Sequence, residues 1–224
     1  LAQRPIGSLI KPLLLYGLLQ SDKTLASLVQ DQPIQIRQSN DQVWSPQNYD
    51  KELHGEMTLY QAFIQSYNLP FVHLGVANDN LPRLTENLQK LNLLRQQVIY
   101  PSMLLGATLM TPYEVAQMYQ VIANSGYFSP LTTIRQVLDK ENNVLTRIPI
   151  YSDEIFERQS MIQVQRALLG VVEEGTAVLE RLGRLKRTIG AHLRIEQGTV
   201  RIGGGATAVS LILPEPIRRF RRDH

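Results

Sequence analysis

The chain has 224 residues, 43% of them hydrophobic, which suffices for one substantial core and argues against a disordered polymer. It has no cysteine, excluding thiol catalysis and disulfides, and no apolar run near the length of a membrane helix. The net charge of +3 is uneven: residues 1–180 carry 13 basic and 17 acidic side chains, residues 181–224 carry 10 and 3, so the basicity belongs to the tail and no nucleic-acid partner is expected.

The first residues, LAQRPIGS, hold neither an initiator methionine nor a leader, so the chain reads as a fragment or a processed product. Gly7 precedes a helix that begins at Ser8, tolerates Pro12 in its first turns, and continues through Leu13, Leu14, Leu15, Leu18 and Leu19 as a buried element. Ser8 and Lys11 stand three apart, which puts a hydroxyl and an amine on one helical face near the positive dipole end. Residues 33–48 alternate around Ser-Asn-Asp and read as extended chain with turns. Thr58 caps a helix to Ser66 that buries Leu59, Ala62 and Phe63; Ser66 and Asn68 fall where the chain turns before Pro70.

A further helix is expected over residues 81–94, and another from Thr111 to Ser125, with Thr111 as cap, Pro112 at its first position and Gly126 ending it. Residues 131–147 read as a hairpin around DKENN, and residues 160–174 as a helix ending near Gly175. The sum is a helix-rich α+β domain whose last third has no legible pattern. His54 and His73 lack companion ligands at metal spacing, so no metal is expected. Gly203, Gly204 and Gly205 follow no phosphate-loop lysine, and the Arg218 to Arg222 cluster reads as a basic end.

These residues resemble the transpeptidase domain of penicillin-binding proteins, of the class A bifunctional, 1B type. Ser8 and Lys11 in RPIGSLIKP match the family's S-x-x-K, and Ser66 to Asn68 its S-x-N. VWSPQNYD, HGEMTLYQAFIQSYN, LLGATLMTPYEVAQMYQVIANSG and EEGTA match flanking segments, over roughly residues 4–180. The resemblance implies a serine β-lactamase and penicillin-binding-protein-like α+β fold, helix-rich, with an incomplete antiparallel sheet. It implies a partial transpeptidase domain over residues 1–180 and an atypical basic tail over 181–224.

In function the resemblance implies a peptidoglycan D,D-transpeptidase that cross-links stem peptides through an acyl-enzyme on Ser8. Lys11 would be the base, Ser66 a proton relay, and Asn68 a holder of Lys11 or of the substrate amide. Trp44 and Asn48 would line the substrate groove, or else form a structural turn with a packed aromatic. β-Lactams would be covalent inhibitors, and no cofactor is implied. The parent protein would be anchored at the periplasmic face of a bacterial inner membrane and carry a glycosyltransferase domain. D,D-carboxypeptidase activity, or a catalytically inactive cell-wall-associated interaction domain, are the alternatives.

One family feature is not matched. The third motif, K-T-G-T or K-S-G-T on an edge strand, should follow EEGTA, whereas Lys186, Thr188 and Gly190 give only a loose K-x-T-x-G. Codons for residues 201–209 read two bases out of frame are compatible with D-W-W-x-G-Y-S-G, similar to a family segment after that motif. The end is therefore either frameshifted near residues 186–192 or divergent.

Overall fold

The computed structural model describes residues 2–38, 41–77, 80–94 and 98–192, with side chains as far as residue 185. They divide into two compact units, one formed by Leu1–Gln47 with Leu53–Val171, the other by Asn48–Glu52 with the chain from Val172 on.

The first unit is organised around the leucine run. A 3-10 turn, Gly7–Ile10, leads into α1, Lys11–Leu19, in which every residue from Lys11 to Leu18 is buried. A helix apolar on all sides needs neighbours on all sides. They are supplied by α3 (Leu69–Ala77), α4 (Asn80–Lys90) and the 3-10 turn Pro101–Leu105, through Phe71, Leu84, Leu88, Met103 and Leu104. From α5 (Pro112–Ala123) and the start of α6 (Arg158–His192), Met118, Val121, Met161 and Val164 complete the same core. Each fully buried leucine contributes about 1.5–3 kcal/mol relative to exposure.

All described strands pair antiparallel in two-stranded ribbons. In chain order they are β1 (Arg4–Pro5), β2 (Leu28–Asp31), β3 (Ile36–Arg37), β4 (Val43–Trp44), β5 (Gly55–Thr58), β6 (Leu109–Met110), β7 (Tyr127–Phe128), β8 (Gln136–Leu138), β9 (Val144–Arg147) and β10 (Asp153–Glu154). The pairs are β1 with β6, β2 with β5, β3 with β4, β8 with β9, and β7 with β10. Helices thus carry the core while short open ribbons edge it, giving the expected helix-rich α+β architecture.

The caps fall where the sequence places them. Thr58 and Gln61 exchange side-chain and backbone bonds at the start of α2 (Leu59–Ile64), and Thr111 with Glu114 repeats that capping box at α5. The DKENN turn is an Asx turn, Asp139 accepting from the amides of Glu141 and Asn143.

Two expectations change. Helix α3 was not foreseen: Pro70 reads as a stop, yet as the second residue of α3 it is a helix starter, where a missing N–H costs nothing. The helix expected to end near Gly175 runs on to His192. Its glycines, Gly170, Gly175, Gly183 and Gly190, cost about 1 kcal/mol each, which the leucine, glutamate, arginine and lysine residues between them offset. The backbone of residues 186–190 is therefore helical and not the edge strand of a third motif. The second unit comprises a turn at Asn48–Glu52, closed by Lys51 N–H donating to the Asn48 carbonyl at 3.1 Å, and the later part of α6. The tail beyond residue 192, with the three-glycine and arginine clusters, lies outside the described residues.

Candidate active site

Gly7 sits at φ +56° and donates its N–H to the Gly106 carbonyl at 3.1 Å, while Ile6 N–H donates to the Thr108 carbonyl at 3.2 Å. Gly106 is itself at φ +76°, and a Cβ there would lie 2.0 Å from the Gly7 oxygen. The LLGAT segment thus clamps the turn that carries Ser8, and only a residue without a side chain permits the approach. Ser8 is exposed on that turn; Lys11, one turn on, opens α1 and is 2% exposed.

Ser66 and Asn68 come from the bend between α2 and α3. Helix α2 ends in a Schellman motif: Tyr67 N–H donates to the Ala62 carbonyl and Ser66 N–H to the Phe63 carbonyl, each at 3.0 Å. Such a motif requires a left-handed residue, and Ser66 fills that place at φ +57°. The bend turns three oxygens and a side-chain amide toward one amine. Lys11 Nζ donates to the Ser66 carbonyl at 2.6 Å, Ser66 Oγ at 3.0 Å, the Tyr67 carbonyl at 3.0 Å and Asn68 Oδ1 at 2.9 Å.

Ser66 Oγ in turn lies 3.1 Å from Ser8 Oγ. The two ends of the S-x-x-K motif are therefore joined through the S-x-N serine, in a line of hydroxyl, hydroxyl and amine along which a proton can pass. Burial pushes the Lys11 ammonium down from 10.5 to about 7, so a neutral, proton-accepting fraction exists near neutral pH. The fully buried Phe71 ring lies with its centroid 5.7 Å from Nζ.

Asn68 uses both ends of its amide, Oδ1 toward Lys11 and Nδ2 donating to the Gln47 carbonyl at 2.9 Å. Of the two uses expected for it, contact with Lys11 is the one this geometry has. Trp44 stands in β4 opposite Ile36 and is half-buried. Asn48 belongs to the second unit, where its Nδ2 donates to the Glu52 carbonyl at 2.9 Å across its own turn. Among the described residues no group of three or more His, Asp or Glu side chains is placed to hold a metal.

Sequence reasoning missed the backbone partners of this site: the carbonyls of Ser66, Tyr67 and Gln47, and the glycine clamp. Backbone oxygens leave no signature in residue type. Gly106 does carry one, a lone glycine between LL and AT just before a helix cap.

A family model described as penicillin binding protein transpeptidase domain matches residues 2–191. Penicillin-binding protein 1B of Vibrio cholerae is 40% identical over 178 residues, 78% of this chain and 23% of that protein. Penicillin-binding protein 1B of Escherichia coli is 38% identical over 180 residues, 78% of this chain and 21% of its own. The chain thus spans about a quarter or less of the length of these relatives. The crystal structure of penicillin-binding protein 1A from Haemophilus influenzae superposes with a TM-score of 0.67 at 23% identity, over 74% of this chain and 29% of that one. The D,D-transpeptidase domain from Eggerthella lenta gives 0.61 at 18% identity, over 77% and 49%.

Proposed function

The chain belongs to the penicillin-binding protein transpeptidase domain family, and from that premise we propose that it acts on peptidoglycan stem peptides through an acyl-enzyme on Ser8. Ser8 Oγ attacks the carbonyl carbon of the penultimate D-alanine. Its proton passes through Ser66 to neutral Lys11. The tetrahedral adduct collapses as the C–N bond breaks, and the terminal D-alanine leaves with a proton returned along the same line. An amine of a neighbouring stem peptide then attacks the ester, forms the cross-link and restores the Ser8 hydroxyl. The observation that carries this reading is the continuous Ser8, Ser66, Lys11 line, with the amine buried and tuned to about 7.

The similarity to the 1B proteins supports a class A bifunctional parent of the 1B type, with a glycosyltransferase domain and a periplasmic inner-membrane location. Among the described residues no helix is long and apolar enough to cross a membrane. We also propose residues 1–180 as the transpeptidase portion, with a non-native or divergent tail after it, and Trp44 with Asn48 as groove residues.

Turnover is impaired in this reading. Ser8 N–H would be one oxyanion donor, but the second belongs to a third-motif strand, and residues 186–190 are helical. Loss of one such donor costs about 3 kcal/mol, roughly a hundredfold in rate. That helix favours a second reading, an interaction domain that keeps the fold without the reaction. Exposure to penicillin followed by peptide mass spectrometry separates the two. The enzyme reading expects an adduct on Ser8, absent from Ser8→Ala; an unmodified Ser8 in folded protein overturns it.

A further inference from the structure

The bend that presents Ser66 and Asn68 has a middle residue, Tyr67, whose side chain takes no part in the chemistry above. Its ring is stacked on His54, centroids 4.0 Å apart and planes 23° from parallel. His54 is itself fixed: its backbone N–H donates to Asp31 Oδ2 at 2.8 Å, and its Nδ1 lies 2.9 Å from the same oxygen. Asp31 is 1% exposed and lies at the end of β2, opposite Gly55 in the β2–β5 ribbon. A carboxylate only accepts, so Nδ1 carries the proton and the imidazole plane is locked.

We propose that Asp31 and His54 form a positioning pair for the active-site bend, the carboxylate holding the imidazole and the imidazole holding Tyr67. Building on the transpeptidase reading, this gives the two residues a role in acylation although neither touches the reacting atoms. The physical need is evident in the bend. Ser66 occupies a left-handed conformation, exposed to solvent at the end of a helix of only six residues, and such ends fray. The Tyr67 carbonyl must nonetheless stay 3.0 Å from Lys11 Nζ, with Ser66 Oγ beside it. A stacked ring anchored to a β-ribbon restrains the residue between the two catalytic side chains, and stacking adds stabilisation beyond the area it buries.

The test uses the whole chain with a fluorescent penicillin, separating the acylation rate constant from the affinity of the initial complex, together with amide hydrogen exchange. In His54→Ala the rate constant falls roughly ten- to a hundredfold, the order that displacement of a catalytic group costs, while initial affinity is unchanged. Exchange quickens at Ser66 and Tyr67 but not at Met118 and Val121 of α5. His54→Phe, which keeps a ring over Tyr67, restores most of the rate. If His54→Ala does not fold, Asp31→Ala, which removes the oxygen that accepts from both His54 N–H groups, takes its place with the same expected fall in rate and quickened exchange.

Wild-type rate with unchanged exchange at Tyr67 overturns the proposal. So does weaker initial affinity at an unchanged rate constant, or a loss that His54→Phe does not repair. If the wild-type chain takes no penicillin, the transpeptidase reading fails by itself. Exchange then decides the pair: faster exchange confined to the bend sustains it, and unchanged exchange ends it.

Discussion

In the proposed reaction Lys11 is the residue on which the chemistry turns, and its environment pulls two ways. Four acceptor atoms favour the ammonium; burial disfavours it and brings it down to about 7. Below pH 7 the amine is charged and cannot take the Ser8 proton, so the acylation rate should climb between about pH 5.5 and 8 with a midpoint near 7. A stopped-flow pH series measures it, and a flat profile would remove Lys11 as the base. Stability follows with a definite sign. Between pH 7 and 10.5 the unfolded chain still holds a proton that the folded one has released, so this group makes stability rise with pH across that window. Ser66 shows a different conflict, since its left-handed backbone would suit glycine. Ser66→Gly should raise stability by up to about 1 kcal/mol in urea unfolding while lowering acylation at least a hundredfold. A variant that lost both would show that the hydroxyl is structural.

At the scale of elements, the site depends on how helices stop. Helices α2, α4 and α5 end alike, with Ser66, Asn92 and Ser125 left-handed at φ +57°, +55° and +53°. Only the first of these ends faces the Ser8 turn, and the glycine clamp fixes that turn from the other side. Gly106→Ala places a methyl within 2.0 Å of the Gly7 oxygen and must displace the turn. Acylation of Ser8 should fall roughly a hundredfold while the helical circular dichroism is retained; an unchanged rate would mean the turn is held by α1 alone. The caps, the DKENN hairpin and most helices were legible in the sequence because each is decided by residues within a few positions of one another. Helix α3 was not, because a proline that stops one helix and starts the next looks the same in a one-dimensional pattern.

Across the whole molecule, stability is concentrated in the first unit, around α1. Leu14→Ala should cost about 2–5 kcal/mol in chemical unfolding, since the side chain is fully buried, whereas Leu179→Ala on α6, 69% exposed, should stay within about 0.5 kcal/mol. Equal effects would place the core elsewhere. The long run of α6 through Gly175 is the feature that local reading misjudged. A glycine marks a helix end only when the chain beyond it has somewhere better to go, and Leu179–Leu182 and Arg184–Arg187 on either side of Gly183 are good helix formers.

The sequence alone singled out Ser8, Lys11, Ser66 and Asn68 as candidates and determined the helix caps and the buried leucine run, because spacing and residue type act over short range. Only the tertiary structure decided that Ser66, 58 residues from Ser8, stands between Ser8 and Lys11, that a glycine clamp aims the turn, and that an imidazole leans on the bend. Those contacts join distant segments through backbone oxygens and ring faces, whose positions are fixed by the packing of the core rather than by any local pattern.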